Sequence, residues 1–320
     1  MNDFAPLLTA LDQGSSAPGW DVRQISGGAN GLVYYACSSD AEVAVKFSID
    51  DERDRASREY NALTVLHNTG LNLAPRPLFI DRHRYRQPVV VQSWLAGEVS
   101  ATPPETDEMW TKLLEHYAAL ARVQPKYTQI NLKRTVLNAS NFEAAKALVR
   151  QQLQRLPESA YPEGLQEVIL PLLARTIPAW PKPPVALCRG DSNPTNFVRR
   201  AGSWCSLDWE YGGWGDPAFE MADLITHPAY ALVPSERWPW VVAHYTELTR
   251  DMRAPERIQT YVLVLSVWWA VRFARYLYDV PRGLDPRLVA FPTGWLAEAE
   301  RKYRKYVELA QQCLRGEGSV

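Results

Sequence analysis

The stretch from Cys188 to Pro217, CRGDSNPTNFVRRAGSWCSLDWEYGGWGDP, restricts what this chain can fold into more than any other. Apolar and aromatic residues at Phe197-Val198 and Trp204-Cys205-Ser206-Leu207 flank a turn sequence, Arg199-Arg200-Ala201-Gly202-Ser203. The pattern predicts two brief antiparallel strands, which set the loop before them beside the loop after them. Asp191 and Asn196 lie in the first loop and Asp208 in the second, so three side-chain oxygens are expected to converge. Carboxylate and amide oxygens suit a hard cation such as magnesium, whose remaining ligands are waters and phosphate oxygens. Asp and Asn also cap turns without binding anything. The rest of the chain has to separate the two readings.

With 320 residues the chain can bury a sizeable core as one large or two modest domains. Its 35 basic and 36 acidic side chains leave a net charge of −1, which gives no electrostatic case for nucleic acid. Cys37, Cys188, Cys205 and Cys313 form no C-x-x-C pair, against a zinc ribbon, a redox dithiol or a disulfide scaffold, and a cytoplasmic location is expected. The N-terminal MNDFAPLLTALDQG lacks the basic start and apolar core of a secretory signal. The longest apolar run, Tyr261 to Val271, is too short to span a bilayer, so no membrane partner is expected. The histidines share no i, i+4 spacing for a metal site.

Residues 21 to 48 read as three strands, with Gly27-Gly28-Ala29-Asn30-Gly31 between the first two. Glycines there let backbone N–H groups approach phosphate oxygens, although such a loop can be only a turn. Lys46 interrupts the apolar Val43-Ala44-Val45 and Phe47, where a buried ammonium needs a counter-charge; an edge lysine in solvent is the other reading. A helix is expected from about Asp51 to Asn68, capped by Asp50 or Asp51 and ended by Gly70. Ala56, Glu59, Leu63 and Leu66 share its inner face, so Glu59 is the carboxylate that Lys46 can meet. Two more strands follow, and Gln92 to Gly97 then leaves the sheet with backbone groups, at Ser93 and Leu95, able to bond an adenine edge. A boundary is expected near residue 96, dividing the chain into 1–96 and 97–320. Helices are predicted over 107–123, 141–155 and 164–176, then near 218–226, 236–250, 255–278 and 293–314.

Glycine loop, strand lysine, helix glutamate, hinge, Asp191/Asn196 loop and Asp208 loop occur in an order that resembles the aminoglycoside phosphotransferase and choline kinase family. The resemblance covers roughly residues 20 to 280. It implies an α+β, two-lobed protein-kinase-like fold: an N-terminal antiparallel sheet with one helix, and a larger, mainly helical C-terminal lobe. It implies transfer of the γ-phosphoryl group of ATP, with magnesium, to a hydroxyl of a small-molecule acceptor such as an aminoglycoside or amino alcohol; the alternative is a catalytically silent nucleotide-binding protein. By the same resemblance Gly27, Gly28, Asn30 and Gly31 cover the phosphates, Lys46 holds them, Glu59 pairs with Lys46, and Ser93 and Leu95 form the hinge. Asp191 is implied as the base and Asn196 and Asp208 as magnesium ligands, while Asp216 in Gly215-Asp216-Pro217 is implied as an anchor. Two departures stand out. Arg189 replaces the family's usual histidine in His-Gly-Asp, free to pair with Asp208 or Asp216 or to perturb the base, and Glu220 stands where an aspartate is common. Residues 201–236 hold six carboxylates and no lysine or arginine: either these carboxylates cap helices and the nearby tryptophans fill core, or Glu210 faces the cleft and, with Trp209, Trp214, Trp268 and Trp269, favours amine-bearing acceptors.

Overall fold

In the computed structural model of the protein, which describes residues 3–28, 31–200, 202–284 and 293–317, the chain begins with a helix, α1 (Ala5–Gln13). Next come β1 (Asp21–Gly28), β2 (Gly31–Cys37), β3 (Glu42–Ser48), helix α2 (Arg55–Asn68), β4 (Pro77–Asp81) and β5 (Val89–Ser93). The five strands form one antiparallel sheet in the order β1-β2-β3-β5-β4, which makes β3 the central strand. Period-two alternation gives its two faces different tasks. Val43, Val45 and Phe47 pack into an apolar cluster with Leu7 and Leu8 of α1 and with Phe4 just before it, while Ala44 and Lys46 look the other way, into a cavity. Lys46 is held in register between Val33 and Val90.

Helix α2 starts four residues later than its acidic approach suggests. Asp51 is used in a turn, its carbonyl accepting from the Asp54 amide at 3.0 Å and its Oδ1 from Arg53 at 3.1 Å, and Asp54 has the left-handed φ of 53°. Its inner face is as expected, with Ala56, Glu59, Leu63 and Leu66 all buried. Ala62, Leu63, Val65 and Leu66 pack against Leu120, Val123, Leu187 and Trp209 from the later part of the chain. Each fully buried leucine of this kind contributes about 1.5–3 kcal/mol, so α2 is fixed to that part as well as to the sheet.

Beyond the sheet lie β6 (Glu98–Val99), α3 (Asp107–Leu120), α4 (Phe142–Leu153), α5 (Leu165–Ala174) and β7 (Ala186–Cys188). They are followed by β8 (Phe197–Arg200), β9 (Ser203–Ser206), β10 (Gly213–Gly215), α6 (Pro217–Thr226), α7 (Arg237–Thr249), α8 (Ala254–Asp279) and α9 (Trp295–Arg315). Thr106, Asn141 and Asp216 cap α3, α4 and α6 through their side chains. Helix α8 runs through the main apolar cluster, where Phe273 stacks with Tyr306 of α9 at 5.5 Å; Trp269 joins the same stack. The predicted hairpin is β8–β9, with Phe197 opposite Ser206. A two-stranded ribbon of β7 and β10, Cys188 opposite Gly213, closes the loop region from the other side. Among the described residues no helix is long and apolar enough to cross a membrane.

Candidate active site

Lys46 is 8% exposed and points at three carboxylates. Its Nζ lies 2.8 Å from Glu59 Oε2 and 3.6 Å from Glu210 Oε2, and it donates to Asp208 Oδ1. Burial alone would lower the ammonium's pKa, but Asp208, Glu59 and Glu210 together raise it above its ordinary value. Burial would likewise push the Asp208 carboxyl up, and the Lys46 ammonium holds it below its usual range. Glu59 is raised by burial against the pull of Lys46. Asp208 adopts a left-handed φ of 56°, uncommon for a residue with a Cβ and a conformation that collects at functional loops.

Glu210 does not face the cleft. It is 2% exposed and turned inward onto the Arg55 guanidinium, which also holds Asp51 at 3.0 Å. Burial pushes its carboxyl up to about 7, despite Lys46. Trp209 is fully buried in the core around α2, its Nε1 donating to the Ser206 carbonyl at 3.2 Å. The reading in which these two residues select a cationic acceptor is therefore corrected: an inward ion pair and apolar packing claim both side chains.

The Asp191 loop is tied to the Asp208 loop through Asn196. The Asn196 carbonyl accepts from the Leu207 amide at 2.7 Å, and its Nδ2 donates to Asp191 Oδ2 at 3.0 Å. That arrangement leaves the Asn196 Oδ1 without a partner among the described residues. Asp191 Oδ1 accepts from the Asn193 amide at 3.0 Å and faces His227 Nε2 at 3.8 Å. His227 Nδ1 accepts from the Ala229 amide at 3.2 Å, so the neutral ring carries its hydrogen on Nε2, toward Asp191. Burial lowers the His227 pKa against the opposing charge of Asp191. Beneath the loop, Glu220 Oε1 accepts from the amides of Arg189 and Gly190, the latter at 3.0 Å. Asp223 is buried beside Ser192, and burial, with Asp191 adding, pushes its carboxyl up to about 7. Sequence reasoning missed both His227 and Asp223; the one signal for the latter was an acidic pair at i, i+3 within the apolar PAFEMADLIT.

Arg189 pairs with neither Asp208 nor Asp216; its guanidinium reaches backbone carbonyls instead. Asp216 is occupied elsewhere. It caps α6 through Ala218 at 3.0 Å, pairs with Arg257 at 2.9 Å and accepts from Tyr261 at 3.1 Å, all in the interior.

A cavity of about 340 Å³ joins these groups, lined by Lys46, Glu59, Asn196 and Asp208 at one end and by Ser93 and Leu95 at the other. Ile25, Val33, Ala44, Val198 and Leu207 form apolar walls between them. Cavities of about 530 and 480 Å³ occur elsewhere, the larger behind Gly215 and Asp216, but neither contains Lys46, Asn196 or Asp208. At the hinge, the Ser93 amide donates to Arg76 at 2.9 Å and the Trp94 amide to Glu42 at 3.1 Å. The Leu95 amide has no partner among the described residues. Gly27 and Gly28 pair with Leu32 and Gly31 at the tip of the β1–β2 hairpin. Gly31 has φ +146°, and a Cβ there would lie 2.1 Å from the Phe47 carbonyl oxygen, so glycine is required. Asn30 lies outside the described residues.

A two-layered sheet-and-helix half, a helical half and a lysine-centred carboxylate cleft between hinge and paired loops define a kinase-like phosphotransferase. Residues 21–258 match the phosphotransferase enzyme family, and the chain belongs to that family, as a small-molecule kinase. Among solved structures it is similar to a Ralstonia eutropha protein assigned as an aminoglycoside phosphotransferase, with 16% identity, 98% of each chain covered and a TM-score of 0.70. It is similar to a choline/ethanolamine kinase family protein from Mesorhizobium loti at 16% identity, covering 97% of this chain and 96% of that one, with a TM-score of 0.66. It is also similar to a spectinomycin phosphotransferase solved with ADP and spectinomycin, at 14% identity, 91% and 92% coverage and a TM-score of 0.60. At these identities the likeness shows the fold. No curated protein matches the chain in sequence.

Proposed function

We propose that the chain transfers the γ-phosphoryl group of ATP, with magnesium, to a hydroxyl of a small-molecule acceptor such as an aminoglycoside or amino alcohol. The observation that carries this reading is the convergence of Lys46, Glu59 and Asp208 at 2.8 Å or closer, beside an Asn196 whose amide is already bonded to Asp191 at 3.0 Å. Nucleotide phosphates would take the Lys46 ammonium, with Glu59 keeping it aimed. The free Oδ1 of Asn196 and the Asp208 carboxylate are hard oxygen donors that suit magnesium. Bound there, magnesium would neutralise charge on the phosphate oxygens.

Asp191 is assigned to orient the acceptor hydroxyl and accept its proton as the new oxygen–phosphorus bond forms. The Asn193 amide and Asn196 Nδ2 hold its two oxygens in place, and His227 faces the first of them. The Leu95 amide and the apolar walls fit an adenine, in keeping with ADP in the spectinomycin phosphotransferase complex. On this reading residues 1–96 form the nucleotide lobe, and 97–320 supply the loops and the acceptor side. A screen of aminoglycosides, amino alcohols and sugars, read as acceptor-stimulated ATP consumption, tests it. Magnesium-dependent nucleotide binding with no acceptor consumed would instead establish a silent nucleotide-binding protein.

A further inference from the structure

We propose that Arg189 is a positioning residue whose guanidinium clamps the Asp191 loop to the Asp208 loop and so sets the distance between proton acceptor and metal ligand. Nη1 donates to the Asp191 carbonyl at 2.9 Å and Nη2 to the Leu207 carbonyl, one residue before Asp208, at 2.7 Å. The two bonds leave one rigid plane. A change in the separation of the loops must break one of them.

The surroundings hold that plane still. Arg189 is fully buried, with its guanidinium carbon 4.7 Å from the Phe197 ring centroid and 5.7 Å from that of Trp209. Its main chain is anchored by Glu220, and Gly190 follows at φ +75°, where a Cβ would meet Thr135 Oγ1 at 2.4 Å. A buried guanidinium is costly to desolvate, and an apolar side chain of that size would fill the space as well. The Nε is buried without a hydrogen-bond partner, so the side chain's hydrogen bonding is concentrated in the two prongs. Lysine keeps the charge but ends in one nitrogen on a flexible stem, and neutral imidazole offers one N–H; neither supplies two N–H groups fixed in one plane to set the spacing of both carbonyls.

The inference rests on the magnesium–nucleotide reading, and the test separates the two. Arg189→Lys and Arg189→His are compared with the wild type by circular dichroism melts, steady-state kinetics and nucleotide calorimetry with and without magnesium. Misplacement by about 1 Å costs about 10²-fold in rate, so at saturating magnesium kcat should fall about 10²-fold while KM for nucleotide stays within about twofold. The magnesium concentration giving half-maximal activity should rise, and in calorimetry magnesium should strengthen nucleotide binding less than in the wild type. Methylguanidinium should partly restore kcat to Arg189→Gly. Folded variants with wild-type kcat and magnesium response would overturn the clamp, and so would failure of both to fold, which would make Arg189 a stability residue. A wild-type chain without magnesium-dependent nucleotide binding would refute the underlying reading instead.

Discussion

Replacing Lys46 with methionine separates the structural work of the lysine from its proposed work on phosphate. In the wild type one nearly buried ammonium faces Glu59, Asp208 and Glu210, with Arg55 the second cation on Glu210. The Asp208 side chain is 37% exposed, so water screens its pair and little stability depends on it. Glu59 is different, because it is fully buried, and stranding such a charge costs about 3–5 kcal/mol. Without Lys46, burial raises the Glu59 carboxyl further. The folded variant then holds a proton that the unfolded chain has lost, so its stability falls as pH rises from the ordinary value of 4.5 through the raised one. Urea denaturation should therefore show a larger deficit at about pH 8 than at about pH 5. Adding Glu59→Leu removes the stranded carboxylate and should recover most of the stability, while nucleotide affinity stays low. An equal deficit at both pH values, or a double variant that binds nucleotide normally, would refute this reasoning.

Asp208→Ala should abolish the effect of magnesium on nucleotide affinity measured by calorimetry; an unchanged magnesium titration would place the metal elsewhere. Asp223→Asn tests the buried acid under the loop. Its folded carboxyl sits near 7 rather than 3.8, so the wild type loses stability as pH rises across that window, by up to about 4 kcal/mol. The asparagine variant should lack this slope in thermal melts, and an identical pH profile would count against it. Gly31→Ala should cost at least about 1–3 kcal/mol through backbone strain and collision with Phe47, and a melt within error of the wild type would contradict the hairpin geometry.

What was legible in the sequence was what local pattern encodes. Lys46 stood out because strand alternation and charge disagree there, and Glu59 because helical spacing places a carboxylate among Ala56, Leu63 and Leu66. The β8–β9 hairpin followed from apolar residues around a glycine turn. The resemblance to small-molecule kinases, built on the order of such features, is borne out by the family match. The start of α2 was misjudged because Asp50 and Asp51 look like caps, whereas Asp51 bonds Arg53 and Arg55 and the N-cap position falls on Asp54. The direction of Glu210 was not legible, for a longer-range reason. Its partner Arg55 is 155 residues away, and nothing local says that it turns inward. Strand β10 is three residues long and exists by pairing with β7, so no periodicity announces it.

The central claim is tested most directly by single-turnover transfer of labelled γ-phosphate from ATP to an acceptor found in the screen, comparing the wild type with Asp191→Asn. The side chains are nearly the same size, and the asparagine oxygen can still accept from the Asn193 amide on the His227 side, but its NH2 faces the Asn196 NH2, so a thermal melt and the nucleotide Kd of the variant are measured beside the transfer rate. The account predicts magnesium-dependent transfer by the wild type and a rate lower by about 10²–10⁴-fold in the variant, with nucleotide Kd unchanged. Transfer at the wild-type rate by Asp191→Asn would contradict it.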